Sequence, residues 1–197
     1  MLGRPQSPVY SQLHAGAVTA GRHSHTARRC PRCFPRSLLA RPCAECTELV
    51  LSHEGLQELS GFDAFRDLES LFVNDNKLTS LHGLDKNARI KSLYAHNNQI
   101  CTLRGSLSHF RFLRLLDLSN NSLRGLDKVV KTLASFQHLE VLNLRDNPVC
   151  EESDYRMTLV CALPACLQVL DQHVVTAQER FQVRRLLAES SRARSRF

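Results

Sequence analysis

Between Leu68 and Asn147 the chain writes one apolar line four times. The copies are Leu68-Glu-Ser-Leu71-Phe-Val73-Asn-Asp-Asn76, Ile90-Lys-Ser-Leu93-Tyr-Ala95-His-Asn-Asn98, Leu113-Arg-Leu-Leu116-Asp-Leu118-Ser-Asn-Asn121 and Leu139-Glu-Val-Leu142-Asn-Leu144-Arg-Asp-Asn147. A weaker copy, Cys46-Thr-Glu-Leu49-Val-Leu51-Ser-His-Glu54, precedes them. Repetition at so short a period leaves few folds open: each unit supplies a short strand and is stabilised by stacking on its neighbours. The intervals Leu49 to Leu71, Leu71 to Leu93, Leu93 to Leu116 and Leu116 to Leu142 are 22, 22, 23 and 26 residues.

The third copy shows why stacking is needed. Leu116 and Leu118 stand two apart, so on an extended chain they share a side while Asp117 points to the other. Leu113 and Leu123 close the same layer from the flanking turns. One unit cannot dry that layer alone; a neighbour about 4.8 Å away pairs the strand edges and covers the leucines. Each leucine so buried contributes about 1.5–3 kcal/mol.

The closing asparagine answers the turn after the strand. There the backbone leaves N–H and C=O groups without ladder partners, and an amide can serve both kinds. Asn76, Asn98, Asn121 and Asn147 are therefore expected to stack as a buried ladder. Glu54 takes this place in the first copy, where an ionised carboxylate cannot donate, so that unit is expected to be a more solvated edge. Units near 22 residues leave room behind the strand only for 3-10 or single helical turns. The longer fourth unit places Leu126, Val129, Val130 and Leu133 at i, i+3, i+4 and i+7, which predicts a short helix.

After Asn147 the pattern changes. Met157, Leu159, Val160 and Leu163 form a helical stripe behind the acidic run Glu151-Glu152-Ser153-Asp154, with Ser153 or Asp154 as candidate N-cap and Pro164 as the stop. Leu167, Val169 and Leu170 read as a last partial strand. This assembly would cover the open end of the array. Ala177 to Ala188 reads as a further helix, and the Arg-rich end from Ser190 as a frayed basic tail.

The repeats together with Asn147-Pro148, Tyr155-Arg156, Leu163-Pro164, Leu170-Asp171, Val174-Val175-Thr176 and Glu179-Arg180 resemble the leucine-rich-repeat proteins of the 22-residue class with a C-terminal cap. That class includes the nuclear regulatory subunit of protein phosphatase 1, the spliceosomal A-prime protein, tubulin-cofactor-like proteins and cilium- and axoneme-associated proteins such as a dynein light chain. The resemblance implies an α/β solenoid: a curved parallel sheet with 3-10 or short helices on its convex side and a helical C-terminal cap. It covers residues 46–180, within an expected organisation of a disordered leader (1–44), a repeat domain with cap (45–176) and a helix with basic tail (177–197). It also implies a non-enzymatic scaffold in ciliary, axonemal or cytoskeletal assembly, in the cytoplasm. The class leaves open a phosphatase-regulatory subunit and a nuclear RNA–protein assembly factor.

Charge refines this. The net +7 is accounted for by seven Arg in residues 1–44, which contain no Lys, Asp or Glu. Residues 45–179 hold 13 basic and 18 acidic side chains, net −5. The high pI thus reflects the leader and the tail, and nucleic acid is not the expected partner. No apolar run is long enough to span a membrane, and the first 30 residues lack a secretory h-region. The Arg-rich leader also fits a mitochondrial transit peptide. Cys30-Pro-Arg-Cys33 and Cys43-Ala-Glu-Cys46 have zinc-type pairing, but their nine-residue gap is short and Cys46 already belongs to the first repeat. No metal or other cofactor is therefore expected. Cys101, Cys150, Cys161 and Cys166 read as reduced, small apolar fillers.

No His falls in a metal-ligand spacing or beside a nucleophile motif, and no glycine loop is built to cradle phosphate. The expectation is a protein-binding surface without a small-molecule substrate. Its address is the set of residues alternating with the ladder leucines, which should project from the concave side of the sheet. Val50, Phe72, Tyr94, Asp117 and Asn143 form one column, with Asn74, His96 and Arg145 toward the strand ends and Leu115 and Val141 on the other flank. Aromatic anchors inside a polar rim suit an interface hot spot. All are expected to face solvent, unless the tail folds over them.

Overall fold

A computed structural model describes residues 46–105, 107 and 109–194 of the chain. The leader, with Cys30, Cys33 and Cys43, lies outside the described residues, and so do the transit-peptide and disorder expectations for it.

Six parallel strands stack in chain order, each supplied by one turn of the solenoid. They are β1 (Glu48–Val50), β2 (Ser70–Phe72), β3 (Ser92–Tyr94), β4 (Leu115–Asp117), β5 (Val141–Asn143) and β6 (Val169–Leu170). A seventh, β7 (His173–Val174), pairs antiparallel with β6 and ends the sheet. The central leucines are in register from Leu49 through Leu71, Leu93, Leu116 and Leu142 to Leu170. All six belong to one continuous interior cluster. Phe62, Phe65, Phe110 and Phe136, on the turns behind the strands, fill the same cluster from the convex side.

The asparagine ladder forms as expected. In each copy the side-chain N–H group reaches the carbonyl of the preceding unit: Asn76 to Leu51 at 2.8 Å, Asn98 to Val73 at 3.0 Å, Asn121 to Ala95 at 3.0 Å and Asn147 to Leu118 at 2.8 Å. The amide oxygens accept backbone N–H groups of Leu56, Leu78, Ile100 and Leu123 at 2.9–3.0 Å. One side chain thus satisfies both groups that the inward bend strands. Glu54 is exposed, in keeping with a solvated edge unit.

A second, outer ladder lies one residue earlier. Asp75, Asn97, Asn120 and Asp146 all have positive φ, between 51° and 59°. Asx side chains tolerate this left-handed region better than other non-glycine residues. Asn97 donates to Asp75 at 2.7 Å and Asn120 to Asn97 at 2.9 Å, linking the turns of successive units. Gly83 meets a sharper constraint: φ is +98°, and a Cβ there would lie 1.8 Å from the Leu59 carbonyl oxygen.

Helix α1 (Leu126–Leu133) occupies the long fourth unit and buries Leu126, Val129 and Leu133. The other convex segments are turns, with 3-10 helix only at Phe62–Ala64 and Pro148–Glu151 among the described residues. Behind β5, α2 (Tyr155–Ala162) packs Tyr155, Leu159 and Val160 onto the array end. Asp154 is its N-cap residue but has φ 59°, and its side chain makes no capping bond. The acid that caps is Glu152, one unit away from its helix: its carboxylate accepts the Gly125 N–H at 2.9 Å and the Leu126 N–H at 3.1 Å, at the start of α1.

Helix α3 (Ala177–Arg194) runs six residues past the expected end at Ala188, through the segment read as a frayed tail. Its base is fixed by two arginines. Arg156 grips Glu179 through two nitrogens at 2.7 and 3.1 Å, and Arg180 donates to the carbonyls of Val160, Pro164 and Leu167 at 2.8–3.1 Å. On either side of the buried Val183, α3 turns Phe181 and Leu186 to solvent.

Candidate interaction surface on the concave sheet

The register that aligns the leucines also aligns their neighbours. Val50, Phe72, Tyr94, Asp117 and Asn143 stand side by side across β1–β5, and Leu115, Val141 and Val169 occupy the flanking column. Tyr94, Leu115, Val141 and Val169 form an apolar cluster separate from the interior one, with Phe72 packed against it. Alternate side chains of one sheet have thus sorted onto two sides, as the period of two requires. The Phe72 and Tyr94 rings stack with centroids 4.5 Å apart and planes 4° apart.

The expected exposure of this face is corrected. Tyr94, Leu115, Asp117, Val141 and Asn143 are all buried, Tyr94 to 3%. These side chains pack against one another across adjacent strands, which covers the middle of the face. What stays accessible lies toward β1 and the strand ends: Val50 is 46% exposed, Phe72, Asn74 and His96 are half-buried, and Arg145 is exposed. A polar pair of substitutions at Phe72 and Tyr94 would therefore strike one surface ring and one packed ring.

The polar members are tied to the strand ends. Asp117 accepts from the Ser119 hydroxyl at 2.7 Å and its backbone N–H at 3.0 Å, and His96 Nδ1 lies 4.0 Å away. The Arg145 backbone N–H donates to Asn143 at 3.4 Å, and the Arg145 guanidinium donates to Gln172 at 2.7 Å. Asn74 accepts from Ser52 at 2.7 Å and donates to Asp75 at 2.6 Å. Burial, with the Asp117 and Glu48 carboxylates nearby, pushes the Tyr94 phenol up to about 12. Val169 is the member that the repeat pattern did not assign to this face; the spacing Leu167-x-Val169-Leu170 places it there as a sixth, shortened copy.

Among the described residues no group of three or more His, Cys, Asp or Glu is placed to hold a metal ion. No described helix is long and apolar enough to cross a membrane. Of the cysteines read as fillers, Cys150 and Cys161 pack partly against the core, whereas Cys101 is exposed and does not fill it. A separate groove of about 280 Å³ lies between Arg104, Arg124, Lys128 and the α1 residues Val129 and Thr132.

A stacked parallel sheet carrying two sorted faces, a buried amide ladder and a helical end cap defines a repeat solenoid of the kind that binds other proteins. A family model described as leucine-rich repeat matches residues 66–195, so the chain belongs to the leucine-rich-repeat family. Among solved structures, a chain of the Drosophila melanogaster SNF/U2A′ complex is similar at TM-score 0.65 and 25% identity, over 70% of this chain and 79% of that one. An internalin from Listeria monocytogenes matches at TM-score 0.54 and 22% identity, over 69% of this chain and 38% of that one, a likeness of fold. Comparison with curated protein sequences gives no match.

Proposed function

We propose that the protein is a non-enzymatic scaffold that docks a helix or folded protein partner on its concave sheet. The observation that carries this is the accessible end of the second apolar cluster, where half-buried Phe72 stands beside Val50, 46% exposed, on the side of the sheet opposite the core. Aromatic and aliphatic side chains there, bordered by Asn74, His96, Asp117 and Arg145, have the composition of an interaction hot spot with a polar rim. The sheet from β1 to β6 spans about 24 Å, enough for one side of a standard interface. The setting proposed is ciliary, axonemal or cytoskeletal assembly, in the cytoplasm or the cilium. It is supported by the sequence resemblance to cilium-associated members of the class, leucine-rich-repeat-containing protein 72 among them.

A second reading has one specific observation in its favour. The similar chain from Drosophila was solved as part of the SNF/U2A′ complex, which suits a role in RNA–protein assembly with a nuclear location. The concave side opposes direct RNA contact, since its stacked aromatics lie beside Asp117 and Glu48 rather than beside a stripe of cations. Partner capture from tissue with motile cilia separates the readings. Axonemal or cytoskeletal proteins are the expected catch; spliceosomal proteins or a phosphatase catalytic subunit would replace that assignment.

A further inference from the structure

Along the solenoid, cations of one unit are matched by carboxylates of the next. Lys86 pairs with Asp63 at 3.2 Å, Arg89 with Asp67 at 2.7 Å, Lys91 with Glu69 at 2.7 Å and Arg114 with Glu140 at 2.6 Å. The matching stops in the groove between the third and fourth units. Arg104, Arg124 and Lys128, all exposed, line it, and no Asp or Glu is among its lining residues. Neither Arg124 nor Lys128 forms an ion pair with a described residue. Residues 45–179 are net −5, so three cations gathered in one cleft run against the charge of the domain around them.

The groove follows from the unequal bulk of the two units. The third turns tightly through residues 101–104, whereas the fourth carries α1, and a helix beside a turn leaves a step. Buried Leu103, Leu123 and Val129 form its apolar floor. The Lys128 stem lies back over Gly125, where an added Cβ would meet its Cδ at 3.6 Å, so the lysine is held beside the turn that carries Arg124. Thr102 accepts the Arg104 backbone N–H at 3.2 Å on its hydroxyl oxygen and keeps a hydroxyl proton to donate. The helix terminus is not the anion site, because Glu152 already takes the N–H groups at the start of α1.

We infer that this groove binds a phosphorylated segment of a protein partner, a phosphoserine or phosphothreonine beside an apolar residue. A phosphoryl group carries about −1.5 to −2 charge at pH 7 and three acceptor oxygens, which two guanidiniums and an ammonium match. The apolar floor takes the neighbouring side chain. The volume, about 280 Å³, falls below the range of about 300–1,000 Å³ for drug-sized ligands, so the groove accepts one or two side chains of a segment. No aromatic ring lines it for a base to stack on, which favours a peptide over nucleic acid. The site shares no residue with the concave columns and stands independently of the proposed function.

The test passes a peptide library with one fixed phosphoserine and degenerate flanks over the immobilised full-length protein, beside the same library built on Ser and on Glu. Expected are about tenfold enrichment of the phosphoserine library over both others and selection of an apolar residue next to the phosphoserine. With the retained pool bound, alkylation of Cys101, the exposed thiol lining the groove, should slow several-fold. Arg124→Glu/Lys128→Glu should abolish retention with its melting midpoint unchanged, since both side chains are exposed and Glu suits the first turn of a helix. The neutral Arg124→Gln/Lys128→Gln should lose most of it, and Val50→Asp/Phe72→Asp should keep it. Equal retention of the phosphoserine and Ser libraries, or retention indifferent to the Arg124 and Lys128 substitutions, would overturn the inference. Equal retention of the Glu library would overturn phosphate as the group recognised, and competition by inorganic phosphate without flank selection would overturn the peptide. Loss of retention in Val50→Asp/Phe72→Asp alone would move the binding to the concave sheet and overturn the groove.

Discussion

A single amide decides whether each turn of this solenoid can be buried. Asn98 and Asn121 each donate to three carbonyls and accept one N–H from the preceding unit. Replacing either by Leu leaves those groups dry and unpaired, which should lower stability by about 1–3 kcal/mol in urea denaturation. A change within 0.3 kcal/mol would mean that the turns rehydrate freely. Gly83→Ala should cost more than about 1 kcal/mol, since the new Cβ meets backbone rather than a movable side chain. Tyr94 gives a pH prediction. Its folded-state pKa, about 12, lies above the ordinary value of 10, so the stability it contributes is full below pH 10 and is lost as pH rises through 12. Wild type should lose more stability over that window than Tyr94→Phe does; parallel curves would contradict the burial of the phenol.

At the scale of elements, the ends of helices rest on side chains distant in sequence. Glu152→Ala should destabilise α1 by about 0.5–2 kcal/mol, although Glu152 lies outside that helix. Amide exchange of Lys128 to Lys131 should speed up, and unchanged exchange would contradict the cap. This contact could not be read from the sequence: Glu152 precedes α2, where local rules assign it to the nearer helix. The ladder leucines were legible because period two and a 22-residue interval leave one way to stack them. The last partial strand at Val169–Leu170 was legible as well, but the place of Val169 in the concave cluster and the two-residue β7 were not, because so short a strand offers too little pattern. Nor was the outer ladder of Asp75, Asn97, Asn120 and Asp146, since a polar residue at positive φ looks like any loop residue until its φ is known. The concave column was legible as a column but not as a buried one. Periodicity assigns Tyr94 and Asp117 to a side and carries no information on what lies across it.

For the whole molecule, the leucine-rich-repeat fold provides two faces with different duties: an interior that holds the stack together and a concave sheet proposed to take a partner. The claim that the concave sheet is the docking surface is tested most directly by titrating a captured partner against the full-length protein and its Val50→Asp/Phe72→Asp variant, with melting curves recorded alongside. Both residues retain access to solvent at the β1–β2 end of the face. The account predicts at least a tenfold loss of affinity with a thermal midpoint lowered by no more than a few degrees. Undiminished affinity, with the variant folded, would contradict it.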